Sequence, residues 1–492
     1  MALGGIIVAA LSTELNQSLS SILLGDIGGG LGMSHDSGTW FDSLYLSAEV
    51  FGMAVSPWFA VTLSLRRWSL FVIALTCVST VFIPLTSNLT LLYGLRTVQG
   101  LCGGLTIPLL MTTALRALGP QIRLFGLAAY ALTVTFFPNL SAAIAAFWVQ
   151  NGAGPGWPFA FYEAVPLAAI AAVLVWHGMP QDPRHYERFA KFDWRGAALV
   201  LVGLGSLSTM LQQGNRLDWF NSRMICVLGL VGLISVPLLI LNEWFHELPL
   251  LKFQMLGRRN LAYGLIALIL FVIIAESAST IPNDYLAQVA GIRPEQSYPV
   301  TALIAAAQLL LLPAMALLLN YRWADARVFS FAGLACMLTA CIGDSFLTSV
   351  WQPGQFFLWQ LFAAFGEAMV VMPLLMMATN SVTPDEGPYA SSLVNTPRAI
   401  GQAVGVWLLQ LVQHWRGALH TERLASQLGL DRFRLRLGTN LGGMTRTIEQ
   451  QAAVLTLSDA FLVMAALIVA LMLVLLVLPV RTYPPRIVFA DK

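Results

Sequence analysis

Arg96-Thr-Val-Gln-Gly-Leu-Cys-Gly-Gly-Leu-Thr-Ile-Pro-Leu109 is an apolar, glycine-rich run with an arginine at its head. Nearly all of the 27 basic residues fall between long apolar runs or at their ends, and Arg96 sits inside one. A guanidinium keeps its charge in a protein. Placing it at the centre of a lipid-spanning helix costs about 2.5–3.5 kcal/mol on insertion scales. Arg96 is therefore expected to face a polar cavity or a carboxylate. That points to a pathway through a membrane rather than to an anchor.

Working outward, the rest of the chain agrees. The 492 residues are 57% hydrophobic and 11% charged, with a mean hydropathy of +0.72. A soluble domain carries about 25% charged residues. A spanning helix takes about 20 apolar residues. The runs give about fourteen spans, centred near Val8, Val50, Ile73, Leu105, Thr133, Ala169, Leu204, Val231, Leu268, Ala306, Leu334, Phe365, Val404 and Ala466. The expected fold class is all-α, a polytopic membrane protein, since helices satisfy their own backbone groups in lipid.

Basic residues set the orientation. Arg66, Arg67, Arg116, Arg123, Arg184, Arg188, Lys191, Arg195, Lys252, Arg258, Arg259, Arg322, Arg327 and Arg398 are read as lying in loops on one side, with Arg481, Arg486 and Lys492 in the C-terminal tail. The opposite loops after spans 1, 3, 5 and 11 lack Lys and Arg. The positive-inside rule then places both termini in the cytoplasm. The N-terminus lacks a basic leader region and is read as the start of span 1. The loop 417–456 departs from the rule, with Arg423, Arg432, Arg434, Arg436 and Arg446. Longer loops follow it less closely. Within it, Leu430-Asp-Arg-Phe-Arg-Leu-Arg-Leu437 has a helical pattern suited to a membrane surface, a partner or solvent.

The expected organisation is a six-helix N-terminal half over 1–178, a cytoplasmic linker over 179–195, and two inserted spans over 196–242. A six-helix C-terminal half over 260–480 follows, holding the periplasmic loop 417–456, and then a cytoplasmic tail over 481–492. A proline-to-arginine offset recurs, Pro57 to Arg66 and Pro313 to Arg322. It suggests a weak parallel repeat of the kind transporters use, with chance as the alternative.

Several motifs resemble one family. Phe192-Asp-Trp-Arg-Gly-Ala-Ala-Leu-Val-Leu-Val-Gly-Leu-Gly-Ser-Leu-Ser-Thr-Met-Leu-Gln-Gln-Gly-Asn-Arg-Leu-Asp-Trp-Phe220 is similar to the inserted span 7 of EmrB-like proteins. Arg96 with Gln99 and Gly100 is similar to that family's span 4 motif. Tyr389-Ala-Ser-Ser-Leu-Val-Asn-Thr-Pro-Arg-Ala-Ile-Gly-Gln-Ala-Val-Gly405 and Gly38-Thr-Trp40 are similar to its span 13 and span 2 starts. From about residue 10 to 480, the chain resembles the fourteen-span drug:proton antiporter branch of the major facilitator superfamily, the EmrB/QacA type. The resemblance implies two six-helix halves, alternating access, and a cavity lined by spans 1, 2 and 4. It also implies a periplasmic adaptor and an outer-membrane channel as partners. Three positions depart from the pattern. Leu15-Asn16-Gln17-Ser18 stands where the family has an acid in span 1. The 57–67 segment keeps its basic pair without the glycine and aspartate. Pro138-Asn-Leu-Ser-Ala-Ala-Ile-Ala-Ala146 replaces the glycines of the span 5 antiporter motif. Transport is thus implied more directly than antiport.

Proton coupling calls for a group that exchanges a proton in a low-dielectric cavity, which suits carboxylates. The candidates are Glu14, Glu49, Glu276 and Arg96, with Glu49 first: it is mid-span, one turn from Tyr45, and expected to approach Arg96. The bland reading of such a pair is a fixed ion pair locking helices. Asn16, Gln99, Glu367 and Tyr45 are the candidates for lining a broad amphipathic substrate cavity; interhelical hydrogen bonding is the alternative for each. Asp284 is read as an interfacial cap.

The resulting expectation is a secondary exporter in the bacterial inner membrane. It would exchange protons for small amphipathic or aromatic compounds, among them aromatic weak acids such as fusaric acid. The alternatives are a gradient-insensitive facilitator, a sensor, or a membrane-embedded enzyme. An ATP-driven pump would need a Gly-x-x-x-x-Gly-Lys-Ser/Thr loop, and the lysines are only Lys191, Lys252 and Lys492. A zinc hydrolase would need His-Glu-x-x-His, and His246 in Asn242-Glu-Trp-Phe-His-Glu247 has other spacing. No metal or cofactor is expected. The five cysteines, Cys77, Cys102, Cys226, Cys336 and Cys341, lie in apolar runs without ligand spacing. Nucleic acid is not an expected partner at a net charge of +2 without a basic tail.

Overall fold

The computed structural model describes residues 1–119, 122–149, 156–321, 324–380, 382–430 and 441–477. Helices dominate, and no strand occurs among the described residues. Twelve helices are long and apolar enough to cross a membrane. A thirteenth crossing is a bent pair, α1 (Ala2–Ile22) and α2 (Leu24–Leu31), broken by 73° at Leu23. Next come α3 (His35–Leu63), α4 (Leu65–Phe82), α5 (Leu89–Ala117), α6 (Arg123–Val149), and the short α7 (Pro158–Tyr162) running into α8 (Ala164–Gly178). The inserted pair is α9 (Trp194–Leu199) and α10 (Gly205–Gln213), joined by a π-helical stretch, and then α11 (Arg223–Phe245). The chain continues through α12 (Arg259–Gln288), α13 (Tyr298–Leu319), α14 (Ala326–Ser345) and α15 (Pro353–Asn380). It ends in two long rods, α16 (Gly387–Leu430) and α17 (Leu441–Leu476).

Each expected span centre falls in a helix. The exception to the hydropathy pattern is Val404, whose helix α16 is too polar to count among the twelve. The segment 417–456, expected as a loop, is mostly a continuation of α16 and α17. Arg416 Nε and His420 Nε2 both meet Asp459 Oδ2 at 2.6 Å, clasping the two rods together. The pattern Leu430–Leu437 lies almost entirely outside the described residues, as do Arg322 of the repeat and the tail arginines.

Local chemistry explains several boundaries. Asn88 Oδ1 accepts from Thr90 N and Leu91 N at 3.0 and 3.3 Å and starts α5. Ser34, Asp193 and Asp325 cap α3, α9 and α14 in the same way. Between α3 and α4 the chain reverses at one residue, Ser64, with φ of +83°, a strained angle for serine. Arg66 and Arg67 therefore fall in the first turn of α4, and Arg66 stacks on Trp176 at 4.4 Å. Pro138 lies inside α6, which continues unbroken past it.

Small residues set the tightest packing. A Cβ on Gly100 or Gly104 of α5 would run into the Tyr45 or Glu49 backbone of α3. One on Gly52 would come within 2.6 Å of Leu101 O. A second glycine seam joins α14 to α15, where Gly333 and Gly366 face each other's carbonyls. In contact terms α1, α3–α6 and α8 form one set, and α12–α17 another. They meet along α13 against α6 and α16 against α3 and α5, while α10 packs on α3 and α16.

Candidate functional site

Arg96, on α5, is 1% exposed, and its two terminal nitrogens are both partnered. Its Nη2 lies 3.2 Å from Asp42 Oδ1. Its Nη1 donates to Gln99 Oε1 at 2.6 Å and to Ser20 Oγ at 3.1 Å. Phe41 and Tyr45 cover its guanidinium at 4.5 and 4.3 Å from their ring centroids. Gln99 Nε2 passes the network on to Thr80 Oγ1 at 3.1 Å. One side chain thus ties together α1, α3, α4 and α5. The carboxylate that pairs with Arg96 is Asp42, not Glu49. Asp42, Tyr45 and Glu49 are three and four residues apart, so they share one face of α3. The acid two turns nearer the start of α3 reaches the arginine. That spacing is visible in the sequence, and it would have found Asp42.

Glu49 is buried two turns further along α3, and Glu14 is buried on α1. The two acids interact electrostatically with each other and with Arg398 of α16. Arg398 had been read as a loop residue. It is 5% exposed, inside α16, with its guanidinium carbon 5.9 Å from the Tyr130 ring centroid. Helix continuity explains the difference: α16 starts at Gly387, eleven residues before Arg398, so the arginine is already well inside the helix. Asn395, Arg398, Gln402 and Gly405 recur at helical spacing, a signal that places Arg398 on a face rather than in a loop. The same helix face holds further links to the other helix set. Tyr130 Oη donates to Asn395 Oδ1 at 2.8 Å, and Ser391 Oγ donates to Pro108 O at 2.8 Å.

The remaining N-terminal candidates are placed less openly than expected. Asn16 donates to Ser12 O at 2.8 Å, and its buried Oδ1 has no partner. Tyr45 Oη reaches Thr13 O at 3.5 Å. Gln99 and Tyr45 serve the Arg96 network in this closed arrangement.

A second group of acids gathers on α12, α14 and α15. Thr280 Oγ1 donates to Glu276 Oε2 at 2.6 Å, and Gln413 Nε2 to Asp284 Oδ2 at 2.7 Å. Gln308 Nε2 donates to Glu367 Oε2 at 2.9 Å. Glu276 interacts electrostatically with both Asp284 and Glu367. Asp344, which sequence reasoning passed over at the end of α14, is 1% exposed and accepts from Gln360 Nε2 at 3.0 Å. Asp284, expected at an interface, is instead linked to the neighbouring rod α16. Among the described residues, none of these four acids has a cation within 4.0 Å. Neutral amides and hydroxyls hold them.

Polar contacts cluster at both ends of the helix bundle. At one, Arg258 grips Glu386 with two bonds of 2.7 and 2.8 Å, and Arg188 Nη2 reaches Tyr389 Oη at 3.5 Å. The hydrogen bonds from Arg258 hold the Glu386 carboxyl below the usual carboxylate range. A cavity of about 40 Å³, lined by Trp58, Arg188, Leu250 and Tyr389 among others, is left there; it has room for a few waters. At the other end Arg293 Nη2 pairs with Asp26 Oδ1 at 3.0 Å, joining the bent α2 to the loop before α13. No group of three or more His, Cys, Asp or Glu suited to a metal occurs among the described residues.

The arrangement holds several ionisable groups away from water. A family model described as Major Facilitator Superfamily matches residues 6–406. The chain is 26% identical over 484 residues to the probable multidrug resistance protein EmrY of Escherichia coli (strain K12), covering 95% of this chain and 93% of that protein. It is 24% identical over 492 residues to the fatty acid resistance protein FarB of Neisseria gonorrhoeae, covering 94% and 93%. Among solved structures, the human organic anion transporter MFSD10 (TETRAN) superposes with a TM-score of 0.58 at 15% identity, covering 95% of this chain and 98% of that one. That likeness shows the fold.

Proposed function

The chain belongs to the major facilitator superfamily, and we propose that it is a proton-coupled exporter of small amphipathic or aromatic compounds. The observation that carries the coupling is the burial of Glu14 and Glu49 beside a single unpaired arginine, Arg398. Two carboxylates facing one cation leave one negative charge in excess. A proton removes that excess at far lower cost than a bare buried charge. Glu49 and Glu14 are the proton-carrying acids. Arg96, fixed by Asp42, shapes their surroundings, and Glu276 is a second coupling candidate.

Substrate would bind between the two helix sets during alternating access. Asn16 Oδ1, the Gln308 and Gln360 amide oxygens and Glu367 offer polar contacts among methionines and aromatics. The names of the EmrY and FarB relatives, multidrug and fatty acid resistance, support a broad amphipathic class. Fusaric acid and decanoate represent its acidic members. The distribution of basic residues supports both termini in the cytoplasm and a place in the inner membrane. The extended ends of α16 and α17 are the proposed contact for a periplasmic adaptor leading to an outer-membrane channel. Removing residues 425–446 should impair efflux from cells while leaving the protein in the membrane; unimpaired efflux would remove the adaptor from this proposal.

Everted membrane vesicles test the whole reading. Substrate added after a proton gradient is established should release protons in wild type and not in Glu49→Gln. No release by wild type across ethidium, fusaric acid and decanoate would contradict proton antiport.

A further inference from the structure

Among the described residues two arginines are buried, Arg96 and Arg398, and they are held in different ways. Arg96 has a carboxylate, an amide, a hydroxyl and two aromatic rings around it, all from helices of its own set. The glycine seam between α5 and α3 locks it to Asp42 and to the Glu49 backbone. It cannot leave those acids without breaking that seam. Arg398 has one ring contact, with Tyr130. Among the described residues no carboxylate lies within 4.0 Å of it and no hydrogen bond to its guanidinium is formed, and its Nε, like that of Arg96, is buried without a partner. An isolated buried cation of this kind is costly. The charged and titratable groups that face it are Tyr130 on α6, Glu14 on α1 and Glu49 on α3, with Arg96 of α5 reaching the cluster through Glu49. All of those groups belong to the helix set opposite its own.

We infer that Arg398 is the moving counter-charge of the transport cycle, a positioning residue carried by α16 whose distance from Glu14 and Glu49 changes as the two helix sets part. This rests on the proton-coupled reading above. Arg398 keeps its own proton throughout, so every proton exchanged belongs to an acid. With the sets closed, as here, the arginine's field favours the ionised acids. When the face of α16 bearing Ser391, Asn395 and Arg398 withdraws, the acids lose their cation, and the one that it held ionised takes up a proton from water. Re-approach expels it. The polar contacts that α16 makes across this seam are few: hydrogen bonds joining Tyr130 to Asn395, Ser391 to Pro108 and Asn395 to Met111, and one ring contact. That suits a contact made and broken in each turnover.

The test uses the full chain in proteoliposomes with whichever of ethidium, fusaric acid and decanoate the wild type moves. Two rates are compared: accumulation driven by a pH gradient, and substrate exchange without a gradient. Arg398→Gln should lower driven accumulation at least tenfold and leave exchange within twofold. Any residual driven transport should show its pH midpoint at higher pH, because the acids would hold their protons without the arginine. Arg398→Lys, which restores the charge, should recover driven transport and the wild-type midpoint. Driven transport by Arg398→Gln at the wild-type rate and midpoint would overturn the assignment, and so would equal loss of exchange and driven transport in both variants. Should Arg398→Gln not fold, Arg398→Lys decides alone. A wild-type midpoint supports the assignment, and loss of driven transport with exchange intact overturns it. If the wild type shows no gradient-driven transport, the exporter reading fails instead.

Discussion

The acids on α1 and α3 and the acids on α12, α14 and α15 are all at least partly buried but neutralised by different means. Asp42, Glu49 and Glu14 lie near Arg96 and Arg398. Glu276, Asp284, Asp344 and Glu367 face threonine and glutamine only. A charge pair holds its geometry through strong, directional bonds and is costly to leave half-made. A carboxyl group beside an amide is held weakly and can exist neutral without loss of structure. The Arg96–Asp42 pair is thus built for charge that is always present, while Glu14 and Glu49, which lie near Arg398 without an ion pair, and the acids of the second region suit charge that comes and goes with substrate or proton.

That contrast sets the order of effects. Arg96→Gln strands Asp42 without its cation and should cost about 3–5 kcal/mol, read by thermal unfolding of the purified protein in detergent. The double variant with Asp42→Asn should recover a large part of it; no recovery would mean that the pair is not what holds α3 and α5. Gly104→Ala drives a methyl group into the Glu49 carbonyl and should cost about 1–3 kcal/mol in the same assay, with a wild-type melting temperature refuting the tight seam. Glu367→Gln keeps the shape and a hydrogen-bonding partner for Gln308, so its cost should be within about 1 kcal/mol. A loss as large as that of Arg96→Gln would erase the distinction between the two regions.

The smallest effect lies outside both. Arg258 holds Glu386 below the ordinary carboxylate range, so the pair stabilises the protein above that range. Its contribution disappears as pH falls through the lowered value. The exposed side of the pair limits it to about 1 kcal/mol or less. Unfolding of wild type and Glu386→Gln should differ slightly at neutral pH and converge below about pH 4.

Much of this was legible in the chain before folding. Apolar run length placed a centre in each of the twelve long apolar helices, because lipid demands about 20 residues per crossing. Arg96 announced a polar interior, since a lone arginine in an apolar run has few affordable places to go. Its partner was less visible. Glu49 sits nearer mid-span, and the choice of Glu49 left Asp42, seven residues earlier on the same helix, unweighed. Which of two acids on one helix face meets an arginine depends on how two helices slide against each other, and here the glycines at 100, 103 and 104 set that register. Arg398 was hidden for a different reason. The first turns of α16 are polar, and polarity near a span boundary reads as loop until the helix is seen to run 44 residues. Asp344 escaped because only the neighbouring helix supplies Gln360.

Gradient-driven uptake into everted vesicles, compared for Glu49→Gln and Glu367→Gln against wild type, is the most direct test of where the proton is carried. Glu49→Gln should abolish driven uptake while substrate exchange persists, and Glu367→Gln should retain driven uptake with an altered substrate preference. Driven uptake by Glu49→Gln at the wild-type rate would show that the proton is carried elsewhere.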